Sequence, residues 1–67
     1  MKRYNFTSFY GSYGHIKVNN AGIAYLEIIW NAYIPIKPYR KTYKTLRGAK
    51  IALGRMLESY TLKEVIL

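Results

Sequence analysis

The chain has 67 residues, no cysteine, and a formal charge of +8 from 11 Lys and Arg against 3 Asp and Glu. That length allows a single domain over residues 1–67, and the missing cysteines exclude disulfides and thiolate metal sites as reinforcement. A hydrophobic share of 51% and an aromatic share of 16% argue for a folded chain, because disordered segments are poor in both.

The first residues carry charge, and Asn5, Thr7, Ser8, Gly11 and Ser12 interrupt any apolar signal region. The run Ile28-Ile29-Trp30 is far below the roughly 20 apolar residues that a membrane span needs. The expectation is an intracellular, cytoplasmic protein with no membrane association.

In chain order, Tyr4 to Tyr10 is rich in strand formers and predicts a first strand. Gly11-Ser12 is a turn. Tyr13 to Val18 alternates, with Gly14, Ile16 and Val18 on one face and Tyr13, His15 and Lys17 on the other. Asn19-Asn20-Ala21-Gly22 predicts a tight hairpin turn, since Asn and Gly tolerate positive φ. A third strand follows from Ile23 to about Ile34. Ala24, Leu26, Ile28, Trp30, Ala32 and Ile34 form its apolar face, assigned to the core. Ile23, Tyr25, Glu27, Ile29, Asn31 and Tyr33 form an open or half-covered face.

Pro35 and Pro38 cannot donate to a ladder, so a strand over Tyr39–Lys44 is an edge strand or begins after Pro38. Thr45 is an N-cap candidate for a helix from Leu46 to about Ser59. Leu46, Ala49, Leu53, Met56, Leu57 and Tyr60 share one stripe roughly 100° wide, as for a helix lying on a sheet. The tail, residues 60–67, fits a short second helix through a Thr61/Glu64 capping box, or equally a strand over Leu62–Ile66. The resulting expectation is an α+β fold. A three- to four-stranded antiparallel sheet, βββα or ββββα, spans about residues 3–44, with one amphipathic helix over about 45–59 on one face.

Catalysis lacks its ingredients. One His and the spread carboxylates Glu27, Glu58 and Glu64 form no acid–base or triad spacing, although His15 and Glu27 can meet across the hairpin. No phosphate loop, metal pattern or cofactor motif is present. The reading is a binding protein, not an enzyme.

The basic segment carries more information. Lys37, Arg40, Lys41, Lys44, Arg47, Lys50 and Arg55 follow one another with no acid between Glu27 and Glu58. A solvated helix usually pairs its charges at i,i+3 or i,i+4; Lys44, Arg47 and Lys50 find no acid at either spacing. Lys44 and Arg47 also sit at the helix start, where the macrodipole disfavours cations by about 0.3–1 kcal/mol each. An anion docked there would meet free backbone N–H groups, the Thr45 hydroxyl and those cations.

Eight tyrosines supply a second signal. Tyr39 and Tyr43 interleave with the cations, while Tyr13 and Lys17, with Tyr25 and Tyr33, can share a sheet face. Aromatics beside cations suit base stacking and hydrogen bonds to a phosphate backbone. Ile51 on the polar helix face, with Ile23 and Ile29 elsewhere, leaves room for a protein partner or a homodimer.

The segment Tyr39-Arg40-Lys41-Thr42-Tyr43-Lys44-Thr45-Leu46-Arg47-Gly48-Ala49-Lys50 resembles the strand-to-helix junction of sheet-plus-helix DNA-binding domains. Those are the AP2 domains and the arm-binding N-terminal domains of phage-type integrases. Their last strand is basic and ends in an aromatic, then Lys and Ser or Thr, before the helix. The resemblance implies a sheet lying in a DNA groove, with basic and aromatic residues of its open face in contact. Ala49-Lys50 with Ala52 is also similar to the last helix of double-stranded-RNA-binding domains, whose first helix has no counterpart here. The long third strand, the two prolines and the extra first strand depart from the sheet-plus-helix pattern. In make-up the chain resembles small phage and mobile-element proteins, which implies a regulator or inhibitor.

The functional expectation is a nucleic-acid-binding regulatory or accessory factor, with DNA ahead of RNA. Its site comprises Lys37, Tyr39, Arg40, Lys41, Tyr43, Lys44, Thr45, Arg47, Lys50 and Arg55, joined by Tyr13 and Lys17. The alternative is a small inhibitor or adaptor that docks on an acidic protein surface.

Overall fold

The computed structural model describes residues 2–31, 36–57 and 59–65. It is an α+β fold with a five-stranded antiparallel sheet in the order β4-β3-β2-β1-β5. The elements are β1 (Lys2–Ser8), β2 (Tyr13–Val18), β3 (Ala24–Ile29), β4 (Tyr39–Tyr43), α1 (Leu46–Met56) and β5 (Tyr60–Val65). The sheet therefore has one strand more than expected. Residues 60–65 add to β1, pairing Leu62 with Phe6 and Thr61 with Thr7.

Two physical reasons favour strand over helix in that tail. A helix this short cannot repay its nucleation cost, whereas the outer edge of β1 offers a row of backbone groups that need partners. The alternation also fits, since Leu62 packs on the core while Thr61 and Lys63 are exposed.

The first strand begins and ends two residues earlier than the sequence suggests. Thr7 pairs with Tyr13, and Ser8 N–H donates to the Ser12 carbonyl at 2.7 Å, so Phe9 and Tyr10 become the hairpin turn. The second turn forms as expected. The Asn19 side-chain oxygen accepts from Ala21 N–H at 2.9 Å and Ile23 N–H at 3.0 Å, and Gly22 takes the positive φ of +84°. The third strand runs over Ala24–Ile29, shorter than expected, since Ile23, Trp30 and Asn31 lie outside the ladder; the rest of the expected extension, residues 32–34, lies outside the described residues.

Helix α1 starts where the cap predicts. Thr45 is extended, and its hydroxyl oxygen accepts from Gly48 N–H at 3.1 Å. The helix ends three residues short of Ser59, because Leu57 is already extended, with its N–H on the Leu53 carbonyl at 2.9 Å. Ser59 then takes a left-handed φ of 52°, which redirects the chain into β5. Among the described residues no helix is long and apolar enough to cross a membrane.

The core lies between α1 and one sheet face. Phe6, Ile16, Ala24, Leu26 and Ile28 from the sheet meet Ala49 and Leu53 from the helix and Leu57 just beyond its end, all buried. Leu46 and Met56 of the expected helix stripe are half-buried beside them, and Tyr60 joins from β5. Gly14 sits opposite Phe6 in the centre of this face. A β-carbon there would collide with the Glu27 carbonyl oxygen and come within 2.7 Å of the Phe6 ring. Because the Glu27 obstacle is backbone, no rotamer change relieves it. Gly14→Ala should therefore cost about 2–4 kcal/mol, at the severe end for single substitutions. Chemical denaturation would check this; a loss below about 1 kcal/mol, the typical mutational cost, would contradict the packing.

Candidate functional site

The face of the sheet away from α1 is set by register. One row across it reads Val65, Arg3, Lys17, Tyr25 and Thr42. The next reads Lys63, Asn5, His15, Glu27 and Arg40, and a third reads Thr61, Thr7, Tyr13 and Ile29. Tyr13 is 53% exposed and Tyr25 46%, and Arg3, Lys17, Lys63 and Arg40 are exposed as well. Among the described acids only Glu27 belongs to these rows.

Arg3 and Lys17 are direct cross-strand partners in the β1–β2 hairpin. Like charges in that relation repel and destabilise a sheet. The Arg3 guanidinium donates to the Asn5 side-chain oxygen at 3.1 Å, which orients it without neutralising it. No acid shares the Arg3–Lys17 row.

Glu27 is committed to Arg40, whose Nε donates to its carboxylate. That hydrogen bond, working against partial burial, holds the Glu27 carboxyl below its ordinary value. His15 Nε2 lies 3.8 Å from Glu27 Oε1, too far for a hydrogen bond. Burial holds the imidazole below its ordinary value, opposed by Glu27 and reinforced by Lys17 and Arg3. At neutral pH His15 is therefore uncharged, and the ion pair on this face is Glu27–Arg40. A shallow concavity of about 500 Å³ beside that pair has His15, Lys17, Tyr25, Glu27, Arg40 and Thr42 among its lining residues.

The residues expected to form one basic junction are divided between the two faces. Strand alternation separates Arg40, on the open face, from Tyr39, Lys41 and Tyr43, on the helix side. Tyr39 and Tyr43 join hydroxyl to hydroxyl at 2.9 Å and pack against the core. Burial first, and then that bond, pushes the Tyr43 phenol up to about 12, and the hydrogen-bonded pair serves as a structural clasp. Lys41 reaches back over the Tyr43 ring, 5.5 Å from its centroid.

Lys44, Thr45 and Arg47 are exposed at the start of α1, which has no acid in its first turn. The Thr45 hydroxyl already satisfies one of the helix's free N–H groups. Lys50 lies 5.3 Å over the Tyr4 ring; burial and a hydrogen bond to Glu64 raise the Tyr4 phenol. Arg55 is in the last helical turn, where a cation complements the dipole. Lys37 is exposed ahead of β4. Tyr13 and Lys17 share the open face with Tyr25, as expected; Tyr33 lies outside the described residues.

Arg3 and Lys63 are the open-face cations that the sequence reading left out. Arg3 carried a signal, because Arg3, Asn5 and Thr7 alternate against Tyr4 and Phe6. Lys63 carried none while its segment fitted helix and strand equally. No protein-family model, curated protein or solved structure matches the chain.

The Glu27–Arg40 pair has a definite pH signature. Because the folded state lowers the Glu27 pKa, the pair stabilises above the ordinary glutamate value of 4.5. That contribution disappears as pH falls through the depressed folded value. Glu27→Gln should be less stable than the native chain at about pH 7, and the gap in thermal midpoint should shrink on acidification below the ordinary value of 4.5. A gap unchanged between those conditions would contradict the pairing.

Proposed function

We propose that the protein binds nucleic acid through the open face of its sheet. The observation carrying this reading is the directly opposed Arg3–Lys17 pair, with no acid in its row and exposed Tyr25 next in line. Juxtaposed cations cost the free protein stability, and a phosphate backbone lying across them converts that repulsion into attraction. Lys63 extends the cationic surface on β5, while Tyr13 and Tyr25 offer flat rings for stacking or hydroxyls for phosphates. Arg40 becomes available once an anion competes with Glu27.

The resemblance of residues 39–50 to sheet-plus-helix DNA-binding domains puts DNA ahead of RNA and supports contact through the open face. Lys41, Lys44 and Arg47, on the helix side and at the β4–α1 corner, form a secondary group that reaches the polymer from its margin. A chain of this size with a binding face fits a regulatory or accessory factor. An inhibitor that docks on an acidic protein is the rival.

Fluorescence anisotropy with labelled single- and double-stranded DNA tests the reading. With about three phosphates neutralised, affinity should fall roughly twenty- to fortyfold between about 50 and about 200 mM salt. Arg3→Glu with Lys17→Glu should abolish most binding and flatten that salt dependence, whereas Lys44→Glu with Arg47→Glu should weaken it less. The reverse ranking would move the site to the junction. No binding by the native chain, together with a protein partner retained after nuclease treatment, would establish the rival.

A further inference from the structure

The aromatic pair at the β1–β2 turn has no part in the core or in the cationic rows. Phe9 is 79% exposed and Tyr10 64%. A single exposed apolar residue is ordinary; two consecutive aromatics at a hairpin tip, where small polar residues are the norm, are not. Their rings meet edge-on, with centroids 5.3 Å apart and planes at 90°.

The turn that presents them is tied down on several sides. Within it, Gly11 N–H donates to the Ser8 carbonyl at 3.1 Å and Ser12 N–H to the Ser8 hydroxyl at 3.0 Å. Outside it, Phe9 N–H donates to the Ser59 carbonyl at 3.1 Å, which ties the turn to the start of β5. Buried Ser12 accepts from Asn31 N–H at 3.3 Å, and the Asn31 side-chain amide donates to the Tyr10 carbonyl. Rigid presentation of apolar rings to water is unfavourable in the free protein, but it lowers the ordering cost when something covers them.

The surroundings of the pair favour one kind of occupant. Tyr13 begins the open face immediately after the turn, and Tyr25 lies further along it beside Lys17. The cations Arg3 and Lys17 stand toward the opposite end of the hairpin. From Thr7 to Arg3 is about 14 Å at strand rise. An anionic membrane meeting the tip would leave those cations behind, whereas a polymer lying along the hairpin meets rings and cations together. Every nucleobase has a π-face, and stacking on aromatics requires that face to be unpaired.

We infer that Phe9 and Tyr10 form a stacking platform for unpaired nucleobases, at the end of a single strand laid along the open face. This inference rests on the nucleic-acid reading and narrows it to single-stranded or locally opened polymer. Stacking on the tip and phosphate contact at Arg3 and Lys17 are separable contributions, because one is insensitive to salt and the other is not.

Phe9→Ala and Tyr10→Ala, each made singly, test it alongside Lys17→Glu. Anisotropy would use an oligothymidylate of about 12 nucleotides, a duplex of the same length, and phosphatidylserine-containing vesicles. The aromatic variants should keep the native thermal midpoint, since the replaced rings are exposed. They should lose about five- to a hundredfold in affinity for the single strand, lose little for the duplex, and retain the native salt slope. Lys17→Glu should weaken both polymers and reduce the slope. If the aromatic variants bind the single strand as the native chain does, or weaken equally on the duplex, the platform is refuted. In that case the effect of Lys17→Glu leaves the open-face reading standing. Loss confined to the vesicles would make the turn a lipid anchor and refute it too. Absence of any nucleic-acid binding by the native chain would end both proposals.

Discussion

An eleven-residue helix, α1, connects the two edge strands of a five-stranded sheet and can cover only one of its faces. The buried inward side chains of β1, β2 and β3, Phe6, Ile16, Ala24, Leu26 and Ile28, share one core with Ala49 and Leu53 of that helix. The outward side chains of the same strands are then released from packing and free to serve another purpose. On this face they are mostly cations, hydroxyls, amides and phenols, with a single acid among the described residues, Glu27. One-sided cover is therefore the constraint from which both the core and the candidate interface follow.

Electrostatics sharpens the contrast between the faces. On the helix side two cations are held locally: Lys41 lies over Tyr43 and Lys50 over Tyr4, where ring faces attract positive charge. On the open side Arg40 is absorbed by Glu27, but Arg3 and Lys17 face each other. A small chain at +8 already opposes its own compaction by self-repulsion. Placing two of those charges as direct cross-strand partners adds to that burden at a specific place, which is why the site is put there and not at the helix start. The secured turn beneath Phe9 and Tyr10 extends the same logic from charge to apolar surface. In each case the free protein holds an unfavourable group in a fixed position.

Much of the fold was legible from local pattern. The β2 boundaries, the Asn19–Gly22 turn, the Thr45 cap and the buried set Ala24, Leu26 and Ile28 follow from alternation and turn chemistry. The fifth strand was not legible, because Thr61 and Glu64 support a capping box as well as a strand. Only the free edge of β1, a tertiary circumstance, decides between them. The Phe9–Tyr10 turn was hidden for a related reason: aromatic residues read as strand formers, and only the pairing of Thr7 with Tyr13 excludes them from the ladder. The basic run from Lys37 to Arg55 was visible as a cluster in sequence. Alternation along β4, and the attachment of Arg40 to Glu27, divide it in space.

The central claim is that nucleic acid contacts the face opposite the helix, and amide and aromatic NMR shifts during titration with an oligothymidylate measure that directly. The account predicts the largest changes at Arg3, Tyr13, Lys17, Tyr25 and Lys63, with the Phe9 and Tyr10 rings, smaller ones at Lys44 and Arg47, and little at Arg55. Changes concentrated around Lys44, Arg47 and Lys50, with the outward residues of β1 and β2 undisturbed, would contradict it.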